Sequence, residues 1–228
     1  LEALKAYSLG MKTWREKGAA AALLYSQRAM ELDPNFAMAY RSVGGQYLTL
    51  GQTERGREYM NKAFQSRQHA SERENLTIVG EYYEFVTGEL DKAAKTFQEE
   101  RDSYPHARAY SDLNLVYAAQ GQYEKAAEIS RESVRLAPDR TFAYDDLALW
   151  ELCLQRFDEA RQTIHEAQAG KMDDSILHGA LYALAFVGAD SAAMADQQQW
   201  FAGKPEENIG LSLASDTEAY GGHLAKAR

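Results

Sequence analysis

The chain has 228 residues, of which 45% are hydrophobic and 26% are charged, and its net charge is −9. These proportions are typical of a folded chain and exclude a disordered one. Because phosphate recognition requires clustered lysine and arginine, the acidic balance and the lack of a basic run argue against nucleic-acid binding by this segment.

Small residues recur along the sequence at a nearly constant spacing. The recurring residues are Ala22, Gly56, Ala93, Ala126, Ala160, Ala193 and Ala227. Successive members are 34, 37, 33, 34, 33 and 34 residues apart. Five residues before most of them stands a second marker, namely Gly51, Gly88, Gly121, Gln155, Gly188 and Gly222. A period near 34 residues predicts one helix–turn–helix unit that is repeated along the chain.

The first three repeats differ in regularity. The first pair of helices is expected to stop at Pro34, since proline cannot continue a helix. The second pair has its turn at Gly51. The polar stretch Ser66–Asn75 carries the excess length of the 37-residue gap, and it predicts a lengthened second helix followed by a loop. The first helix of the third repeat is irregular, with the sequence EYYEFV from Glu81.

The fourth repeat shows the pattern most clearly. Tyr110, Leu113 and Tyr117 stand at i, i+3 and i+7, which places them on one face of a helix. Gly121 is expected to end this helix in a left-handed cap, and Pro138 to end the next one. The fifth repeat follows the same pattern, and the sixth is rich in alanine. In each second helix, the recurring small residue is expected to lie where the two helices of a pair approach most closely.

This pattern resembles the tetratricopeptide repeat (TPR) family over all 228 residues. The resemblance implies an all-α fold, a TPR α-solenoid in which antiparallel helix pairs form a right-handed superhelix of about six and a half repeats. We expect a single array, truncated in its last repeat, with repeats near 1–36, 37–73, 74–106, 107–140, 141–173, 174–207 and 208–228. Because the pattern starts at Leu1 in mid-repeat and stops in mid-repeat, we expect a fragment of a longer protein.

Three stretches resemble a narrower group of TPR arrays. They are residues 1–10, the run SERENLTIVGEYYEFVTGELDKAAKTF from Ser71, and the final run DTEAYGGHLAKAR. They are similar to the arrays that follow the catalytic domain in bacterial eukaryotic-type serine/threonine protein kinases, and such arrays also follow winged-helix DNA-binding domains in bacterial regulators. The resemblance implies a sensing or docking module. The kinase motifs themselves are absent from the sequence, so no phosphate transfer is expected.

Candidate residues for chemistry are sparse. His165-Glu166 begins like a zinc-protease motif, but Ala169 stands where the second histidine ligand belongs. Cys153 is the single cysteine, so neither an internal disulfide nor a cysteine zinc cluster can form. We therefore predict a non-enzymatic chain without catalytic residues, metal or cofactor. Without an apolar stretch of about 18 residues we expect no membrane insertion, and a cytoplasmic location unless the full-length protein carries a preceding membrane span.

The first helices of a TPR array line its concave face, and two rows of positions on them are expected to be exposed there. One row is Arg41, Ile78, Ser111, Asp145 and His178, and the other is Gly45, Tyr82, Leu115, Leu149 and Tyr182. The predicted peptide-binding groove consists of Arg41, Tyr82, Phe85, Arg108, Ser111, Asp145, His178 and Tyr182. The alternative for Leu115 and Leu149 is packing against the adjacent repeat.

Apolar and aromatic groups in these rows suit a peptide ligand with apolar anchors. A clamp for a carboxyl-terminal tail is not expected, because Tyr7, Met11 and Leu115 stand among the positions where some TPR proteins use lysine and asparagine. Arg41 and Arg108 are each suited to an acidic ligand side chain. Three functions stay open: a kinase-associated docking scaffold, a module that self-associates end to end through Leu1 and Arg228, and the sensor part of a DNA-binding regulator.

Overall fold

The structure is a computed structural model, and it describes residues 1–227. All regular elements in this range are helical. The α-helices are α1 (Glu2–Leu32), α2 (Ala37–Thr49), α3 (Thr53–Gln65), α4 (Glu72–Glu81), α5 (Leu90–Ser103), α6 (Ala107–Ala119), α7 (Tyr123–Leu136), α8 (Thr141–Cys153), α9 (Phe157–Ala169), α10 (Ser175–Val187), α11 (Ser191–Phe201) and α12 (Glu207–Tyr220). None of the helices described in residues 1–227 has the length and apolarity needed to cross a membrane.

The chain divides into two compact units, one of residues 1–116 and the other from Tyr117 onward, and the boundary falls inside α6. In the first unit, α1 is interrupted at Gly18, whose φ of 80° and ψ of 175° are not helical. Its two halves fold back on each other, since a Cβ at Gly10 would lie only 3.0 Å from the Ser26 hydroxyl. This hairpin is the helix pair of the first repeat.

The turns inside the helix pairs use a residue with positive φ, as the second markers predicted. Gly51, Gly88 and Gly121 have φ of 72°, 72° and 73°. Gln155 takes the same position with φ of 58°, an angle that is unfavourable for any residue with a Cβ. The prediction is wrong by one residue in the sixth repeat, where Ala189 rather than Gly188 has positive φ, because α10 ends one residue later.

The recurring small residues lie between paired helices. A Cβ at Gly56 would come within 2.6 Å of the Leu48 side chain and 3.2 Å of the Gly44 carbonyl oxygen, so α2 and α3 touch backbone to backbone there. The corresponding alanines in four other repeats are fully buried, namely Ala22, Ala93, Ala126 and Ala160. The predicted close approach is confirmed at Gly56 and the burial of the four alanines agrees with it, whereas Ala193 of the sixth repeat is only half-buried.

The third repeat departs from regular geometry. The predicted lengthening of α3 is wrong: α3 ends at Gln65, a 3₁₀ turn covers Arg67–His69, and α4 begins after Ser71. Ser71 and Glu74 form a reciprocal capping box, which fixes this start. The expected irregularity of the first helix is confirmed, because α4 continues as a π-helical turn over Tyr82–Thr87.

The second unit has a core between α8, α9 and α10, formed by Tyr144, Ala148, Ala160, Ile164, Leu177 and Leu184 among others. Asp174 caps α10 by accepting hydrogen bonds from two backbone amides of its first turn, which disfavours fraying at this end. Phe201 is buried at the end of α11. The predicted end of the truncated repeat at Arg228 lies outside the described residues.

Candidate ligand groove

A groove of about 200 Å³ opens in the first unit between the first helices of successive repeats. Trp14 of α1, Leu48 of α2 and Phe85 of the π-helical turn provide apolar walls, together with Met60 from α3. Gly45 supports the indole, because a Cβ at this position would lie 3.2 Å from Cη2 of Trp14. The missing side chain therefore lets Trp14 rest directly on α2.

A network of buried charges borders this groove. Arg41 donates from Nε to Oε2 of Glu81 over 2.8 Å, and its Nη2 donates to Oε1. Arg108 donates from Nε to both carboxylate oxygens of Asp112, over 2.7 and 2.9 Å, and its Nη2 lies 3.4 Å from Oε1 of Glu81. Glu81 thus accepts from an arginine on each side. Removing one member would leave a buried opposite charge without its partner, which lowers the free energy of unfolding.

Only part of this network is exposed. Arg41, Glu81 and Asp112 are all buried, whereas 55% of the Arg108 side chain is exposed. Glu84 lies beside the network on the π-helical turn. Burial raises the pKa of Glu84 to about 8, and the nearby carboxylates of Asp112 and Glu81 act in the same direction. This side chain is therefore mostly uncharged at neutral pH.

Three of the predicted groove residues come together here, namely Arg41, Phe85 and Arg108. The predicted exposure of Arg41 is wrong, because its guanidinium is enclosed by its ion pair with Glu81. Tyr82 is half-buried and stacks on Phe64, with ring centroids 3.9 Å apart. Its ring packs between repeats instead of projecting into open space.

The exposure predicted for the other members of the two rows is largely wrong. Ser111 and Ile78 are buried. Asp145 is buried too, and the Asp174 carboxyl interacts with it. Burial raises the pKa of Asp145 to about 9, with Asp174 acting in the same direction. Leu115, in contrast, is 41% exposed, as predicted.

The histidine and the tyrosine of the sixth repeat are also buried. His178 stacks on Trp200, and its Nδ1 and Nε2 lie 2.6 and 2.7 Å from Gln197 and Asp173. The Tyr182 hydroxyl hydrogen-bonds to Thr217 over 2.8 Å. Both side chains therefore face neighbouring helices and not a groove. Their contacts stabilise the packing of α10 against α11 and α12.

Five groove residues were not predicted from the sequence: Trp14, Leu48, Thr49, Met60 and Glu81. The signal for Trp14 was available, since it continues the stripe of Tyr7 and Met11 at a helical spacing. No local signal pairs Glu81 with Arg41, which is 40 residues away in the sequence. Within residues 1–227, no three histidine, cysteine or carboxylate side chains converge in a way that would hold a metal ion.

Each of the two units consists of packed helix pairs, as in an α-solenoid, and solved TPR proteins share this fold. PilW, described as a widely conserved type IV pilus biogenesis factor, is 17% identical, with a TM-score of 0.61 over 92% of this chain and 98% of its own. A thermophilic TPR protein of Thermus thermophilus is 20% identical, with a TM-score of 0.62 over 85% of this chain and 99% of its own. A TPR protein of Parabacteroides merdae is 18% identical, with a TM-score of 0.61 over 99% of this chain and 89% of its own. No family model matches the sequence.

Proposed function

We propose that this chain is a non-catalytic protein-interaction scaffold whose groove in the first unit binds a segment of a partner protein. The observation that carries the proposal is the groove itself, in which four apolar side chains surround an open space beside a half-exposed arginine. Its volume of about 200 Å³ lies below the 300–1,000 Å³ of typical small-molecule sites. This size suits one or two side chains of a peptide better than a cofactor.

The experiment is site-specific photo-crosslinking in cells that express the full-length protein. A photoreactive phenylalanine analogue replaces Thr49, which is exposed at the groove, and the matched control places it at Lys95, which is exposed on α5. We expect a defined partner to be crosslinked from position 49 and lost when Phe85→Ala is added. The Phe85 carbonyl, which accepts from Nε of Arg57 over 2.9 Å, is kept in this variant. Equal crosslinking from both positions would contradict the proposal.

For the scaffold's role we propose, more specifically, a docking module beside a bacterial serine/threonine kinase domain, or the sensor part of a DNA-binding regulator. The three stretches that resemble such arrays support it. Determining the complete gene sequence tests this assignment. An upstream catalytic domain with nucleotide-binding motifs supports the kinase context, and an upstream winged-helix domain supports the regulator. A gene that encodes neither domain excludes both assignments.

A second candidate function is self-association, which exposed leucines on α1 favour. Leu4 and Leu24 are 54% and 71% exposed, and each places apolar surface in solvent that a second copy of the chain would cover. Light scattering over a wide range of protein concentrations distinguishes the two functions. A mass that rises with concentration and returns to the monomer value in Leu4→Glu with Leu24→Glu supports self-association, and a constant monomer mass excludes it.

A further inference from the structure

The exposed charge of the groove is held in a fixed orientation. Both carboxylate oxygens of Asp112 accept from Nε of Arg108, and Oε1 of Glu81 accepts from its Nη2. Among the described residues, no hydrogen bond is made by Nη1 of Arg108, and 55% of this side chain is exposed. A guanidinium that is oriented by carboxylates on one side presents its remaining N–H groups as a preformed anion contact on the other.

Arg41 cannot provide a second contact of this kind. Its guanidinium is buried, and Glu81 occupies its Nε and Nη2 atoms. Among the residues that line the groove in the described part of the chain, Arg108 is therefore the accessible cation, and Trp14 and Phe85 are apolar walls of the same groove. An occupant that matches this arrangement has one apolar group and one carboxylate placed close together.

We propose that the groove selects partner segments in which a large apolar side chain is followed directly by glutamate or aspartate. The apolar side chain fills the space between Trp14, Met60 and Phe85, and the carboxylate accepts from Arg108. This inference deepens the proposed scaffold function and rests on it, because it names the chemistry of the bound segment.

The charge balance around Arg108 supports this selectivity. Two guanidinium groups, Arg41 and Arg108, face the two buried carboxylates of Glu81 and Asp112, and these four charges cancel. Two further carboxyl groups interact with these four charges: burial raises the pKa of Glu84 to about 8 and that of Glu100 to about 7. While both are uncharged, an incoming carboxylate meets no net negative charge. When they ionise at higher pH, they repel that carboxylate, so affinity falls.

The test uses three synthetic octapeptides with acetylated and amidated ends and a fluorescent label, whose centre is Phe-Glu, Phe-Gln or Phe-Lys in a Gly/Ser background. Fluorescence anisotropy measures their affinity for the chain. We expect the Phe-Glu peptide to bind about fivefold more tightly than the Phe-Gln peptide, which is the upper range for a partly exposed ion pair. Arg108→Gln removes this preference, and Phe85→Ala weakens all three peptides.

Folding controls accompany this series, because Arg108→Gln leaves the buried Asp112 carboxylate without its partner. The double variant Arg108→Gln with Asp112→Asn removes both charges together and keeps the test valid if the single variant unfolds. Glu84→Gln is expected to reduce the loss of Phe-Glu affinity that the wild type shows between about pH 7 and pH 9, and ionisation of Glu100, whose pKa is raised to about 7, accounts for the remaining loss.

The outcomes distinguish failure of the acidic preference from failure of the groove as a binding site. Equal affinity for the Phe-Glu and Phe-Gln peptides overturns the acidic preference but leaves a groove that binds apolar segments. Tightest binding of the Phe-Lys peptide overturns it in favour of a basic partner. Binding that survives Phe85→Ala, or no binding of any of the three peptides, overturns the groove as the binding site and the inference with it.

Discussion

Gly80 and Gly179 occupy the interiors of α4 and α10, yet replacing each by alanine should change stability in opposite directions. A Cβ at Gly80 would lie 2.4 Å from Cε1 and 2.6 Å from Cζ of Phe97. At Gly179, apart from its chain neighbours and the nearby backbone of its own helix, no atom of the described residues lies within 4 Å of the equivalent position. The two substitutions are chemically identical, so their difference isolates the contact with the Phe97 ring.

The magnitudes follow from two opposing contributions. Alanine in a helix interior is about 1 kcal/mol more favourable than glycine, and Gly179→Ala should gain about 0.5–1 kcal/mol in free energy of unfolding. At Gly80 the steric overlap with Phe97 outweighs this gain, because Phe97 is fully buried and its ring has no free space into which it could move. Overpacking of this kind costs about 1–3 kcal/mol, and the short separation puts Gly80→Ala near the upper end. We expect a net loss of about 1–2 kcal/mol.

Urea unfolding followed by far-ultraviolet circular dichroism measures both variants. The double variant Gly80→Ala with Phe97→Leu removes the ring, so its loss should be smaller than the sum of the two single losses. Equal stabilisation by Gly80→Ala and Gly179→Ala would refute the reasoning, because it would mean that Phe97 does not occupy the space above Gly80.

Three further predictions concern the packing and turns of the second unit. Burial raises the pKa of Asp145 from 3.8 to about 9, so its neutral form stabilises the fold at low pH, and that contribution is lost as pH rises through about 9. The urea midpoint of the wild type should fall between about pH 5 and pH 9, and it should fall less in Asp145→Asn. An equal fall of the midpoint with pH in both proteins would contradict this. Gln155→Gly should raise the melting temperature through a gain of about 0.5–1 kcal/mol, since Gln155 has φ of 58°, while Gly121→Ala should lower it. Ala126→Leu should cost about 1–3 kcal/mol because Ala126 is fully buried, and a wild-type melting temperature would show that the repeat phase is wrong.

The repeat architecture was predictable because two local constraints recur with the period. Gly121 has the positive φ expected of a turn residue, and Ala126 has no room for a larger side chain. Both constraints act within one helix pair and leave a mark at a fixed place in most repeats, although the turn residue of the sixth repeat is shifted by one position. The exception is the polar stretch before α4, where a lengthened helix was predicted and a 3₁₀ turn with a capping box is found.

The groove was less predictable because it depends on contacts between repeats. Arg41 was placed on the correct helix, but its exposure depends on whether a later repeat offers a partner, and Glu81 does. Tyr182 is buried for the same reason, since its hydroxyl meets Thr217 of α12. Periodicity places a side chain on a helix face, but the neighbouring pair decides whether that face is open.

The position of Glu81 bears on how freely the repeats can be exchanged. Its carboxylate interacts with Arg41 of the second repeat and with Arg108 of the fourth, so the third repeat carries a charge that both neighbours require. Repeat proteins are often treated as modules that can be duplicated or shuffled with little interference. Here a transplanted third repeat would carry an unpaired carboxylate into its new surroundings, leave the buried Arg41 without its partner, and leave Arg108 with Asp112 alone. Recombination of this array is therefore expected to succeed only when the second, third and fourth repeats move as one block.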